Sequence, residues 1–193
     1  MKRIALLALV LAAGLSSLRA GESQWSMDRS HSSITFSIRH MVVSEVVGSF
    51  KNFTVSLDAT KDDFSDARVA GTIEVGSIST DNDRRDTHLK SDDFFNAAKY
   101  PEIRFTSTEF RKVGENKYQI AGNLTIRDVT KPVVFDAVYG GSVKAWGKTV
   151  AAWKATTTID RFDYNLKWDK ALETGGLIAG RDVTITLTLE FDK

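Results

Sequence analysis

The chain has 193 residues, with 26 Lys plus Arg, 25 Asp plus Glu and a formal net charge of +1. A balance this even excludes the basic stripe that a nucleic-acid binder needs. The lack of any cysteine excludes disulfide staples and thiolate metal sites, so stability must come from burial and backbone pairing.

Taken in chain order, the N-terminus reads as an export signal. Lys2 and Arg3 precede an apolar run from Ile4 to Leu15, and small residues lead to Ala20. The run is shorter than the roughly 20 apolar residues of a spanning helix and fits a secretory signal cleaved after Ala20. Cleavage would remove Lys2, Arg3 and Arg19, taking Lys plus Arg from 26 to 23 against 25 acids, a mature charge of about −2. Residues 21–193 are long enough for one exported domain with a core of its own.

From there the chain alternates apolar and polar residues, the period of a half-buried strand. Ile34, Phe36 and Ile38 alternate with Thr35, Ser37 and Arg39. Val183, Ile185, Leu187, Leu189 and Phe191 alternate with Thr184, Thr186, Thr188 and Glu190. About eight strands are predicted, over 31–40, 45–58, 67–76, 102–111, 117–127, 132–145, 148–160 and 181–191. Long sequential strands favour an antiparallel sheet that closes on itself and so removes its edges; a sandwich is the alternative. Gly48, Gly71 and Gly122 fall inside strands, where glycine often marks a bend.

Asp81–Pro101 breaks the pattern with charges of both signs followed by Phe94 and Phe95. Thr80 and Asp83 suggest a capping box, Ser91-Asp92-Asp93 a second helix start, and Pro101 a stop. Two short helices near 82–98 are therefore expected to cover one end of the barrel, with Leu89, Phe94 and Phe95 turned inward.

No motif demands chemistry. His31 and His40 have opposite strand parity, His88 lies on the insert, and no close-spaced ligand set exists, so neither a metal nor a cofactor is expected. Gly140-Gly141-Ser142-Val143-Lys144-Ala145-Trp146-Gly147-Lys148-Thr149 lacks phosphate-loop spacing and reads as a hairpin. No nucleophile motif is present. Arg84-Arg85-Asp86-Thr87-His88 suits either a solvated helix face or a polar barrel mouth, where a guanidinium would match phosphate or carbonyl oxygens.

Several segments resemble the YceI-like, polyisoprenoid-binding and lipocalin-like family. They are Trp25-Ser26-Met27-Asp28 with His31-Ser32-Ser33-Ile34, Arg85-Asp86-Thr87-His88-Leu89-Lys90-Ser91, Asp93-Phe94-Phe95, Tyr100-Pro101-Glu102-Ile103-Arg104-Phe105, Val129-Thr130-Lys131-Pro132-Val133 and Ile159-Asp160-Arg161. Asp128 departs from the pattern, where glycine is more usual. The resemblance implies an extended antiparallel β-barrel around an elongated apolar pocket. It also implies a periplasmic carrier, not an enzyme, for a long-chain amphiphile: a polyprenyl phosphate, an isoprenoid quinone or a fatty amide.

Parity and the insert then give the expected ligand-binding residues. The interior set is Ile34, Phe36, Ile38, Phe53, Val55, Ile73, Val75, Phe105, Ile120, Leu124, Phe135, Trp153, Ile159, Ile185 and Leu187. The insert adds Leu89, Phe94 and Phe95, and Arg85, His88 and Arg161 are expected at a polar mouth. A carrier of this kind is expected to touch a membrane transiently for lipid exchange, and a homodimer is open. The rival readings are an enzyme with His88 or His40 as base, and a filled barrel serving as an interaction module.

Overall fold

The computed structural model describes residues 25–173 and 175–193. The expected signal segment and mature start lie outside these residues.

Among the described residues, eleven strands form one antiparallel sheet: β1 Ser26–Met27, β2 Ser33–His40, β3 Ser44–Phe50, β4 Phe53–Asp58, β5 Arg68–Glu74, β6 Ile78–Ser79, β7 Glu102–Gly114, β8 Lys117–Ile126, β9 Val129–Ala145, β10 Lys148–Asp160 and β11 Ala179–Asp192. Neighbours run in the order β4-β5-β7-β8-β9-β10-β11-β2-β3-β6, so most connections are hairpins and the sheet curls into a barrel. The curl is joined by short stitches in place of a last full ladder. β1 pairs with β11, Trp25 bridges Leu57 of β4, and β3 pairs with β6 through Ser49↔Ser79 and Phe50↔Ile78.

The expected strand over 45–58 is two strands. The chain turns a corner at Lys51–Asn52, where the Lys51 amide donates to the Ser77 carbonyl at 3.1 Å, the Asn52 amide to Ser77 Oγ at 3.0 Å and the Glu74 amide to the Asn52 carbonyl at 2.9 Å. These bonds replace a ladder where the curled sheet would expose an edge. The inward parity switches there, from Gly48 and Phe50 to Phe53, Val55 and Leu57, with Lys51 and Asn52 both exposed between them.

Two strand glycines make room for aromatic rings. A Cβ on Gly48 would lie 2.3 Å from the Phe36 ring, its cross-strand partner; one on Gly122 would lie 2.4 Å from the Phe105 ring and 2.5 Å from the Thr106 carbonyl. The rings therefore lie over bare backbone on the inner face. A β-bulge between Ser107 and Glu109 sits beside Gly122, whose register partner is Ser107.

The insert holds one helix, α1 Asp83–Lys90, and not two. The Asn82 side chain caps it by accepting from the Arg85 amide at 2.9 Å, so Thr80 is not the cap. Thr80 instead donates through its amide at 2.9 Å and its hydroxyl at 2.5 Å to the buried Asp86 carboxylate. Ser91–Lys99 folds as successive turns, with the Asn96 amide donating to the Ser91 carbonyl at 2.8 Å and the Tyr100 amide to the Asn96 carbonyl at 2.9 Å. Arg127, at the β8–β9 turn, clasps this segment from below: its Nη1 donates to the carbonyls of Phe94 at 2.7 Å and Asn165 at 3.0 Å. Asp128 has no left-handed φ, so the turn has no need of glycine there; Arg127 takes that conformation instead, at φ 54°.

Gly122→Ala should lower stability by about 1–3 kcal/mol, the usual cost of overpacking. Gly71→Ala, whose Cβ would meet nothing nearer than 3.7 Å, should stay within about 0.5 kcal/mol of the parent. Denaturant midpoints of the two variants check this; equal effects would mean that the ring does not need the glycine.

Candidate functional site

A cavity of about 110 Å³ lies inside the curled sheet, walled by residues from β2 to β5 and β7 to β11. No polar atom of the wall faces it. The Thr35 hydroxyl is turned to the Thr186 carbonyl at 3.4 Å. Trp153 Nε1 is buried with no hydrogen-bond partner among the described residues, and Phe64, Phe110 and Tyr118 stand steeply to its indole with centroids 5.0, 5.6 and 5.0 Å away.

Aromatic residues shut one end. Phe64, on the β4–β5 loop, packs against Trp25 at 5.7 Å and Tyr139 at 5.2 Å, and the Tyr118 hydroxyl donates to the Asp63 carbonyl at 3.2 Å. The insert covers the other. Phe95 stands edge-on to Phe50 at 6.1 Å, and Phe50 packs against Phe36 at 5.7 Å.

Of the expected interior residues, Ile34, Phe36, Val55, Ile73, Phe105, Ile120, Leu124, Phe135, Trp153, Ile185 and Leu187 line the cavity. Phe53, Val75 and Ile159 are buried in the surrounding core without reaching it, and Ile38 is half-buried near the end of β2. Leu89 and Phe95 pack against that core, and Phe94 packs against Trp168 at 5.6 Å.

Sequence reasoning missed Thr35, Phe50, Leu57, Val69, Gly71, Ile103, Phe110, Ile126, Ala137, Ala155, Leu189 and Phe191 in the wall. Ile103, Leu189 and Phe191 share the parity of residues already chosen and could have been found. Phe110 could not, because the bulge at Ser107–Glu109 flips the parity of β7.

The polar mouth is not assembled as expected. Arg161 is 2% exposed and donates to the carbonyls of Gly180 at 2.7 Å, Ala179 at 3.1 Å and Leu166. Burial pulls its pKa below the usual arginine value, with Asp160 and Asp169 opposing. Arg85 is folded back on Thr80, its Nε donating to Oγ1 at 2.7 Å and its Nη2 to the carbonyl at 2.8 Å. His88 Nε2 lies 2.8 Å from Asp93 Oδ2, and its ring stands against Phe94 and Trp168. All three side chains have protein partners: Arg161 at Leu166 and the irregular start of β11, Arg85 at Thr80 and His88 at Asp93. Neither His40 nor His88 belongs to the cavity wall.

A second polar group lies outside the cavity. His31 Nδ1 is 2.8 Å from Asp28 Oδ2 and 3.9 Å from Glu190 Oε1, tying the segment after β1 to β11. These atoms lie within 4.8 Å of one another, a spacing that could hold a divalent cation and that equally suits an ion pair. The hydrogen bond with Asp28, then the charges of Asp28 and Glu190, raise the His31 pKa above 6.5.

A model of the YceI-like domain matches residues 25–191. A UPF0312 protein of Staphylococcus aureus (strain bovine RF122 / ET3-1) is 40% identical over 171 residues, 88% of this chain and 97% of that protein. Among solved structures, the YCEI protein of Campylobacter jejuni superposes with a TM-score of 0.70 at 31% identity, covering 81% of this chain and 90% of that one. A polyisoprenoid binding domain from Saccharophagus degradans superposes with a TM-score of 0.62 at 15% identity, covering 88% and 98%. That last likeness is one of fold alone.

Two outcomes are expected here. Arg161→Leu leaves three carbonyls without their donor and should cost about 3 kcal/mol or more in a denaturant titration. The His31 ion pair, whose pKa is raised on folding, contributes fully below pH 6.5 and is lost as pH rises through the elevated value. Stability measured upward from pH 6 should therefore fall in that window, and His31→Asn should flatten the fall.

Proposed function

The chain belongs to the YceI-like family, and from that membership and the apolar cavity we propose that it is an exported carrier, not an enzyme. Its cargo is the tail of a long-chain amphiphile in the periplasm: a polyprenyl phosphate, an isoprenoid quinone or a fatty amide. The observation that carries this reading is the wall itself, which offers carbon from nine strands and no polar atom to the space it encloses. Such a surface has nothing for a sugar, peptide or metal ion. For a hydrocarbon it is favourable by about 0.8 kcal/mol per buried CH₂.

The resting cavity, at about 110 Å³, is smaller than the roughly 300–1,000 Å³ of ordinary ligand pockets. A tail thin enough to thread the barrel suits it better than a fused ring system. Even so, entry requires rings such as Phe36, Phe50 and Phe95 to swing. Arg85, His88 and Arg161 hold protein atoms, so affinity rests on the tail and not on the head group. The enzyme reading needs a base beside the bound molecule, and His88 and His40 do not line its space.

Organic extraction of the purified protein followed by mass spectrometry should release a lipid with a long apolar chain in near-stoichiometric amount. Ala155→Phe, which adds a ring to the wall, should fold and come off the column without it. Retention of the same lipid by Ala155→Phe, or an empty extract from the parent, would contradict carriage in this cavity.

A further inference from the structure

The arm formed by β9 and β10 reaches beyond the rest of the barrel. The β7–β8 hairpin ends where Lys117 pairs with Val138, and β9 continues to Ala145 without it. Its turn is Trp146-Gly147, with φ of 51° and 80°. A two-residue turn of this hand favours Asn, Asp or Gly at its first position, yet here stands a tryptophan that is 96% exposed. Val143 beside it is 61% exposed. The turn thus departs from local preference in order to present a large apolar side chain to solvent, and such departures concentrate at functional positions.

Along the arm itself the charge has one sign, with Asp192 of β11 the acid beside its base. Between Asp136 and Asp160 the chain carries Lys144, Lys148 and Lys154 and no acid. Lys148 is shared with Asp192, while Lys144 makes no ion pair among the described residues.

We propose that the β9–β10 tip docks the protein on an anionic lipid surface, with Trp146 entering the interface and Lys144 and Lys148 facing the headgroups. Tryptophan has an apolar body and a polar N–H, the combination that settles at the boundary between headgroups and acyl chains. Cations beside it gain from the negative surface potential. A second copy of this chain fits the tip less well, because apposed tips would bring lysine against lysine. The other exposed apolar turn, Met41–Val43, is a weaker candidate. Arg39 and Glu45 flank it with both signs, and Val42 lines a groove with Leu177 and Gly180. The proposal deepens the carrier reading by naming the surface with which cargo is exchanged.

Flotation of the purified protein with vesicles of phosphatidylglycerol and phosphatidylcholine, against phosphatidylcholine alone, tests it. The parent should float with the anionic vesicles, less so as salt rises, and its tryptophan emission should shift to the blue. Trp146→Ser should lose at least about tenfold in vesicle affinity and also lose the shift. Lys144→Gln should lose about fivefold, on anionic vesicles only. Val43→Ser should bind as the parent does. Unchanged binding by Trp146→Ser, loss through Val43→Ser instead, or a Trp146-dependent dimer that ignores vesicles would each overturn the proposal. Lipid extracted from Trp146→Ser should match the parent, so a failure of carriage appears in the extract and a failure of docking in the flotation.

Discussion

The whole structure depends on an inner face that stays dry without being filled. A curled sheet satisfies its own backbone, so its interior can be carbon alone, but side chains of ordinary size would then pack it solid. Here large rings lie over the bare backbone of Gly48 and Gly122, while Ala137 and Ala155 hold small volumes on the wall. Shape and not chemistry keeps the space open, and the pairing of every long strand keeps the wall from collapsing into it.

The closures at either end follow from the same constraint. Loops that cap a dry space cannot use a ladder for their amides and carbonyls. At one end aromatic residues meet around Phe64 and Trp153, with the Tyr118 hydroxyl holding the Asp63 carbonyl. At the other, charges do the work. Asp86 gathers Thr80, Arg85 folds back on the same residue, Arg127 clasps Phe94 and Asn165, and Arg161 binds Leu166, Ala179 and Gly180. A charge-dense insert in a β protein is thus explained as a compact cap that supplies its own backbone partners.

The same division sets what was legible in the sequence. Period two found the long strands and about half of the wall, because burial on one face leaves that trace. It failed at Phe110, where a bulge changes parity, and at Lys51–Asn52, where a corner switches the inward parity from Phe50 to Phe53. The insert was legible as an interruption, but not the protein partners that its polar residues take. Composition shows that Arg85, His88 and Arg161 are present; only the fold shows that they answer carbonyls, a hydroxyl and Asp93. Trp168 carried no periodic signal, and its contact with His88 and Phe94 depends on a loop more than 70 residues along the chain.

If tail burial carries the binding, affinity should be a function of chain length. The direct measurement is a calorimetric titration with prenyl alcohols that differ by one isoprene unit, repeated with the matching phosphates. Affinity should rise several-fold with each added unit until the barrel is full, then level off, with a negative heat-capacity change and a difference of less than tenfold between alcohol and phosphate. Affinity that ignores chain length and follows the head group would contradict a cavity that acts by burial alone.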